Sequence, residues 1–485
     1  MMSVLFVAGW SSLVARRAHN PEVVGSNPAP ATKLNVIKTV LINGFFILKV
    51  FTKRIKEKRI VNFKYFYLLL RIYCDIIIKN IFWRINMNNF IVSNLSDKLT
   101  KSVTLEIGSK AKNMIANGIK VNNLTLGEPD FTTPGYIGEG AIEAINKGLI
   151  KYTNTLGIEE LRKLICRKLK KENNLSYEVS NIIVSAGAKQ ALINSLLAIV
   201  NEGDEVLIST PFWVSYPEMV KIVKGIPKFI HTGKESNYKI NRKLLEEEYT
   251  PKVKALILNN PSNPTGIVYK REELEEIAEF AVEKNIFVIS DEIYEKLTYD
   301  EKYISFASIS DEAKKLTVTI NGFSKSHAMT GWRLGYAVAE AHIIDAMSKF
   351  QGHMTSNAST VSQYAGITAL KVKDGSLEDM FNAFKSRRNL VVEELNKIKE
   401  VSYIFPEGAF YIFINISNSF NKTYNDKVIN TSMDFCKVLL DDFKVAVLPG
   451  EAFGAGEFIR MSYAASEEQI TGGISAIGEL FLKLK

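Results

Sequence analysis

From Asn181 onward the chain alternates short apolar runs with longer amphipathic ones. Ile182 to Ser185, Glu205 to Ser209, Val253 to Asn259, Asn285 to Ser290 and Leu316 to Asn321 are short and rich in Ile, Val and Leu, and most are bounded by Gly, Pro, Asn or Asp. Continuous apolar runs of this length fit strands buried on both faces. Between them, Gln190 to Val200, Pro211 to Lys224 and Arg271 to Lys284 carry helical spacing. The alternation predicts an α/β fold with a mainly parallel sheet covered by helices. Ile137 to Lys147 and Ile158 to Glu172 read as helices ahead of it. Later the texture changes: Glu378 to Leu395 is a long helix, Ser402 to Ile414, Val445 to Val447 and Ile459 to Tyr463 read as strands, and the tail from Ser466 is helical. This predicts a second, smaller α+β domain.

The polar residues collect where the predicted strands end. Gly187, Asn263, Asp291 and Lys325 each stand just past one. In such sheets ligands bind at the carboxyl ends of the strands. Each residue alone reads better as a turn or cap; four at separate strand ends argue for one shared site. Lys325 stands eight residues before Arg333 in Ser324-Lys325-Ser326-His327-Ala328-Met329-Thr330-Gly331-Trp332-Arg333-Leu334-Gly335. A lysine between two buried strands is either a solvated loop residue or an amine held for chemistry, such as a Schiff base to an aldehyde, which desolvation favours by lowering its pKa.

Charge has to be located before it excludes anything. The 61 Lys and Arg and 52 Asp and Glu of the 485 residues give +9, but 14 and 3 of them fall in residues 1–86, leaving 47 against 49 and a net −2 for the rest. The body therefore offers no electrostatic case for nucleic acid. Residues 1–86 are themselves odd. Gly25-Ser26-Asn27-Pro28 back-translates to the T-arm sequence of a transfer RNA gene, and residues 34–86 resemble translated AT-rich spacer. We expect residues 1–86 to be a mistakenly translated extension outside the fold, with the true start at Met87. Prolines and the lack of a sustained amphipathic stripe disfavour a transit peptide. The charges at Lys64, Arg71, Asp75 and Lys79 disfavour a membrane span. The scattered Cys74, Cys166 and Cys436 exclude a disulfide scaffold and favour a reducing, cytoplasmic setting. No histidine spacing suggests a metal site, and His327 reads as packing.

Asn263-Pro264-Thr265-Gly266, Ser290-Asp291-Glu292-Ile293-Tyr294, Ser324-Lys325 with Met329 to Gly335, and Arg460-Met461-Ser462-Tyr463-Ala464, in this order, resemble the signature of class I pyridoxal-phosphate aminotransferases. Gly127-Glu128-Pro129-Asp130-Phe131 and Trp213-Val214-Ser215-Tyr216-Pro217 are similar to the bacterial aspartate aminotransferase branch. The resemblance covers about residues 90–485. It implies the fold type I architecture of pyridoxal-phosphate transferases, with an N-terminal segment (87–136) joining the small domain, a large cofactor-binding domain (137–365) and a C-terminal small domain (366–485).

The resemblance also implies roles. Lys325 holds the cofactor as a Schiff base and moves the substrate proton. Asp291 pairs with the pyridinium nitrogen, and Asn263 and Tyr294 bond its phenolic oxygen. Trp213 stacks on the ring. Gly187, Ala188 and Lys189, opening a helix, take the phosphate with Ser324 and Arg333. Tyr152 reaches the phosphate of a neighbouring subunit, which implies a homodimer with shared sites. Arg460 clamps the substrate α-carboxylate, with Gly127, Trp213 and Asn263 beside the substrate. Lys189 meets a distal carboxylate, and Ser102 and Thr104 lie in a segment that closes over it. The implied reaction moves an amino group between aspartate and 2-oxoglutarate. The alternatives are an aromatic or prephenate aminotransferase, and an aminotransferase-like regulator, which the absence of a recognisable helix-turn-helix disfavours.

Overall fold

The computed structural model describes residues 93–100 and 103–485, together with Arg71. The reading of residues 1–86 as a translated extension thus falls, but for Arg71, outside the described residues, as do Ser102 and the side chain of Thr104.

A seven-stranded sheet organises the larger part of the chain. Its strands are β1 (Ile182–Ser185), β2 (Glu205–Thr210), β3 (Ile226–His231), β4 (Val253–Asn259), β5 (Phe287–Asp291), β6 (Thr317–Gly322) and β7 (Gly335–Val338), in the spatial order β1-β7-β6-β5-β4-β2-β3. β2 to β6 pair in parallel, and β7 runs antiparallel to both β1 and β6. The expected mainly parallel sheet is present. Strand period sorts the side chains between two layers. Ala255 and Ile257 of β4 pack on one face with Ile289, Val318 and Ile320. Leu256 and Leu258 pack on the other with Leu274, Ile277 and Phe280. The helices that matter for the site are α1 (Val103–Ala116), α2 (Ala188–Ile199) and α3 (Ser215–Ile222).

The predicted helical run to Lys224 ends at Ile222, and the strand β3 that follows was not expected. Pro227 sits within it; at the edge of a sheet, proline's missing N–H can face outward. The expected strand Ser402 to Ile414 is two, β8 (Ser402–Ile404) and β9 (Tyr411–Asn415), because Pro406 and Gly408 interrupt it. With β10 (Leu448–Pro449) and β11 (Phe458–Ser462) they form an antiparallel sheet in the order β10-β11-β9-β8. Val445–Ala446 instead pairs in parallel with Asn122–Asn123, tying the N-terminal segment to the C-terminal part. Residues 93–485 form one compact unit. Among the described residues no helix is long and apolar enough to cross a membrane, and no group of His, Cys, Asp and Glu could hold a metal ion.

Candidate active site

The antiparallel turn-back between β6 and β7 decides where the chemistry sits. Gly322 pairs with Gly335, so residues 323–334 leave the sheet and return at the same end. That end is also the carboxyl end of β1, since Ser185 pairs with Gly335, and of β5, since Asp291 pairs with Ile320. Asp291 is the last residue of its strand rather than the first beyond it. Glycine is required at 335, because a Cβ there would lie 2.3 Å from the Ala188 nitrogen at the start of α2.

Around this end a cavity of about 530 Å³ is lined by Gly127, Ala188, Lys189, Trp213, Asn263, Asp291, Tyr294, Ser324, Lys325, Arg333 and Arg460. Of the expected residues, Gly187, which precedes the lining Ala188, and Tyr152 are not among those that line it. Tyr152 is 90% exposed.

Lys325 is half-buried and its ammonium donates to the Gly127 carbonyl. Burial pulls its pKa down to about 8, with help from the Arg460 and Arg333 charges and opposition from Glu128 and Asp291. Asp291 is buried, which pushes its pKa up to about 6 against a hydrogen bond from the Tyr216 hydroxyl at 2.8 Å, the Ile293 N–H at 3.3 Å and the Lys325 charge. Asn263 is held by its own N–H on the Asn259 side chain at 2.7 Å.

Arg460, on β11, is 4% exposed. Its guanidinium donates to Asn263 Oδ1 at 3.0 Å and to the Thr125 carbonyl at 2.9 Å, lies 4.3 Å from the Tyr411 ring centre, and keeps a buried Nε with no partner. No carboxylate pairs with it among the described residues, and burial lowers its pKa. A desolvated cation lacking a counter-ion and facing a cavity is a carboxylate-binding arrangement.

The α2 N-terminus supplies unpaired backbone N–H groups and the positive end of the helix dipole. Gly187 caps it at φ +85°, and a Cβ there would lie 2.6 Å from Arg333 Nη2, so only glycine lets the guanidinium approach. Arg333 itself adopts φ +53° and donates to the Thr330 carbonyl at 2.9 Å. Lys189 Nζ sits 4.7 Å from the Trp213 ring centre and 3.3 Å from Ser215 Oγ. Burial, then the Arg333 charge, lowers the Lys189 pKa. Helix N-terminus, guanidinium and Ser324 hydroxyl together suit a phosphate dianion. A lysine with a depressed pKa suits an aldehyde, and a buried acid suits a ring nitrogen. The donor set fits pyridoxal phosphate.

Sequence reasoning missed several lining groups. Tyr216 stands three residues after Trp213, inside a motif already singled out, and helical spacing could have aimed it at the same site. Tyr411, whose hydroxyl lies 2.8 Å from that of Tyr294, carries no local signal. Neither does Thr125, which acts through its backbone carbonyl. Lys112 and Ser109 of α1 also line the mouth, and the Thr100 N–H donates to Glu218 of α3 at 3.0 Å. His327 is packing, as expected: it is buried, its pKa is lowered to about 4 by burial, and its Nδ1 lies 2.7 Å from Ser326 Oγ.

Known proteins share this plan. The family of class I and II aminotransferases matches residues 119–477. An aspartate aminotransferase of Bacillus sp. (strain YM-2) is 47% identical over 388 residues, 80% of this chain and 98% of that protein. A probable aspartate/prephenate aminotransferase of Aquifex aeolicus is 45% identical over 78% of this chain and 95% of its own length. The crystal structure of the Rhizobium meliloti aspartate aminotransferase superposes with a TM-score of 0.79 at 38% identity, covering 82% of this chain and all of that one. With the sheet, the lysine at its carboxyl end and the matches agreeing over the same residues, this chain belongs to the class I and II aminotransferases, enzymes that work with pyridoxal phosphate.

Proposed function

We propose that the protein transfers the amino group of aspartate to 2-oxoglutarate, giving oxaloacetate and glutamate in two half-reactions. The observation that carries this reading is Arg460, a buried guanidinium without a carboxylate partner, in one cavity with the amines of Lys325 and Lys189. The names of the Bacillus and Rhizobium relatives support it.

In this reading Arg460 binds the substrate α-carboxylate through two N–H groups, and Lys189 meets the distal carboxylate. Gly187, Ala188, Lys189, Ser324 and Arg333 would hold the cofactor phosphate, Trp213 would lie against its ring, and Asp291 would face its ring nitrogen. Asn263 has Oδ1 committed to Arg460, which leaves its amide N–H groups to donate to the phenolic oxygen beside Tyr294. Pyridoxal phosphate supplies an aldehyde that takes up the amino group and a ring that withdraws electrons from the α-carbon. The Lys325 amine would hold the group's aldehyde, and its Nζ, when free, would be the base that takes the proton from the substrate α-carbon and hands it on. A pKa near 8 leaves a useful neutral fraction at cellular pH.

The same reading includes a cytoplasmic homodimer in which Tyr152 serves the partner's phosphate site. Its 90% exposure, beside the exposed Ile142, Ile145 and Ile150, supports that. It also takes residues 137–365 as the large domain and residues 87–136 with 366–485 as the small one, supported by the seven strands lying between 182 and 338 and the four between 402 and 462. The Aquifex relative's name supports a second reading, in which prephenate is also a substrate. A panel of aspartate, phenylalanine, tyrosine and prephenate-linked donors, run on the full chain and on one beginning at Met87, tests all of this. Preference for an aromatic donor over aspartate defeats the assignment, and inactivity of the shorter chain defeats the view of residues 1–86 as an extension.

A further inference from the structure

Tyr216 is a buried polar group of the cavity to which the mechanism above gives no task. Tyr216 of α3 is 2% exposed, packs edge-on against Trp213 with ring centres 5.3 Å apart, and donates its hydroxyl to Asp291 Oδ2 at 2.8 Å. Among the described residues, the other carboxylate oxygen receives only the longer Ile293 N–H at 3.3 Å. Both Tyr216 and Asp291 line the cavity. We propose that Tyr216 is a positioning residue that holds Asp291 as an oriented carboxylate for the cofactor's ring nitrogen.

The Tyr216–Asp291 pair is asymmetric. An ionised carboxylate only accepts hydrogen bonds, so a neighbour that keeps its proton and donates it stabilises the charged form. Tyr216 is such a neighbour, because burial and the Asp291 charge push its own pKa well above the phenol range. It keeps its proton throughout the working pH range. The charged and titratable groups facing Asp291 are Tyr216 from α3, Tyr294 and Tyr303 from the segment after β5, and Lys325 from the segment after β6. Lys325 is the sole cation of this set, and it moves during turnover in the proposed function. Tyr216, with the longer Ile293 N–H contact, is therefore the constant influence opposing the burial that makes Asp291 a stronger base. A stronger base at this position would draw the shared proton off the ring, and a carboxylate freed to rotate would lose its aim. The phenol also turns the carboxylate by fixing one oxygen, which leaves the rest of the group to the cavity.

This inference rests on the proposed cofactor site, and the test separates the two. Cofactor release from the holoenzyme is followed by loss of its visible absorption in the presence of a trap, for the native chain, Tyr216→Phe, Asp291→Asn and the double variant. Each is also reconstituted with an analogue in which CH replaces the ring nitrogen. Loss of one hydrogen bond to a charged group corresponds to about a 10- to 100-fold effect. Tyr216→Phe is expected to release the normal cofactor at least about 10-fold faster, on that basis, and the analogue within about 2-fold of the native rate. The double variant is expected to match Asp291→Asn. Faster release of cofactor and analogue alike assigns Tyr216 to packing and overturns the inference. So does an unchanged rate, or full additivity with Asp291→Asn. If Asp291→Asn itself behaves like the native chain, the cofactor assignment fails, and the role of Tyr216 fails with it.

Discussion

Replacing Arg460 with Gln is the sharpest test of how the cavity recognises its substrate. The native guanidinium is buried and already held by Asn263 and Thr125 at 3.0 and 2.9 Å, so it is aimed before any ligand arrives. A substrate carboxylate docking there gains a bidentate, charge-assisted contact in a site shielded from water. Removing one partner of such a buried pair costs about 2–5 kcal/mol. That corresponds to a fall in kcat/KM of about 30- to 5,000-fold. The free protein is expected to lose little stability, because the substitution removes an uncompensated buried charge as well as its two hydrogen bonds. Oxaloacetate formation from aspartate, coupled to an NADH-dependent reductase, measures the loss, and a thermal melt reports the stability. Every amino acid carries the α-carboxylate, so the slow donors of the panel must lose activity by a similar factor. A loss below about 10-fold, roughly the size of one modest hydrogen bond, or one confined to aspartate, refutes the assignment.

Lys189→Met is expected to act differently: kcat/KM for aspartate falls about 10- to 100-fold, the size of one charged hydrogen bond, while phenylalanine is unaffected, as steady-state assays on both donors will show. With the Lys325 pKa lowered from 10.5 to about 8, capture of the cofactor by the free chain needs the neutral amine; stopped-flow absorbance should show its rate rising about tenfold per pH unit below 8 and levelling above it. A rate that keeps rising to pH 10 indicates an unperturbed lysine. Tyr152→Ala and Lys325→Ala chains, each impaired alone, should regain activity when refolded together if the proposed shared-site dimer forms, because its hybrid contains one complete site; no recovery in a mixture shown by mass to contain hybrids removes Tyr152 from the shared site.

Much of the fold was legible because its strands are buried on both faces. Such strands must be short, apolar runs, and Val253 to Asn259 and Ile182 to Ser185 were read with the bounds the structure has. β3 escaped because an edge strand can carry Pro227, Lys228 and His231, which interrupt its apolar pattern. The residues proposed to react could be picked out where chemistry demands a particular side chain at a particular strand end, as at Asp291 and Lys325, and the structure places both at one cavity.

What only the tertiary structure decided is how distant groups meet. Strand direction is not written in the β7 run itself. It follows from the connection, and the reversal at Gly322 and Gly335 is what brings Lys325 and Arg333 to the end of the sheet that carries Asp291. The contact of Arg460 with Asn263 and that of Tyr216 with Asp291 join residues far apart in the chain, and no local pattern encodes them. The sequence by itself determined which side chains could do the chemistry, because function restricts residue type. The packed sheet determined their distances, their burial and hence their pKa values, because desolvation depends on every neighbour that folding brings in.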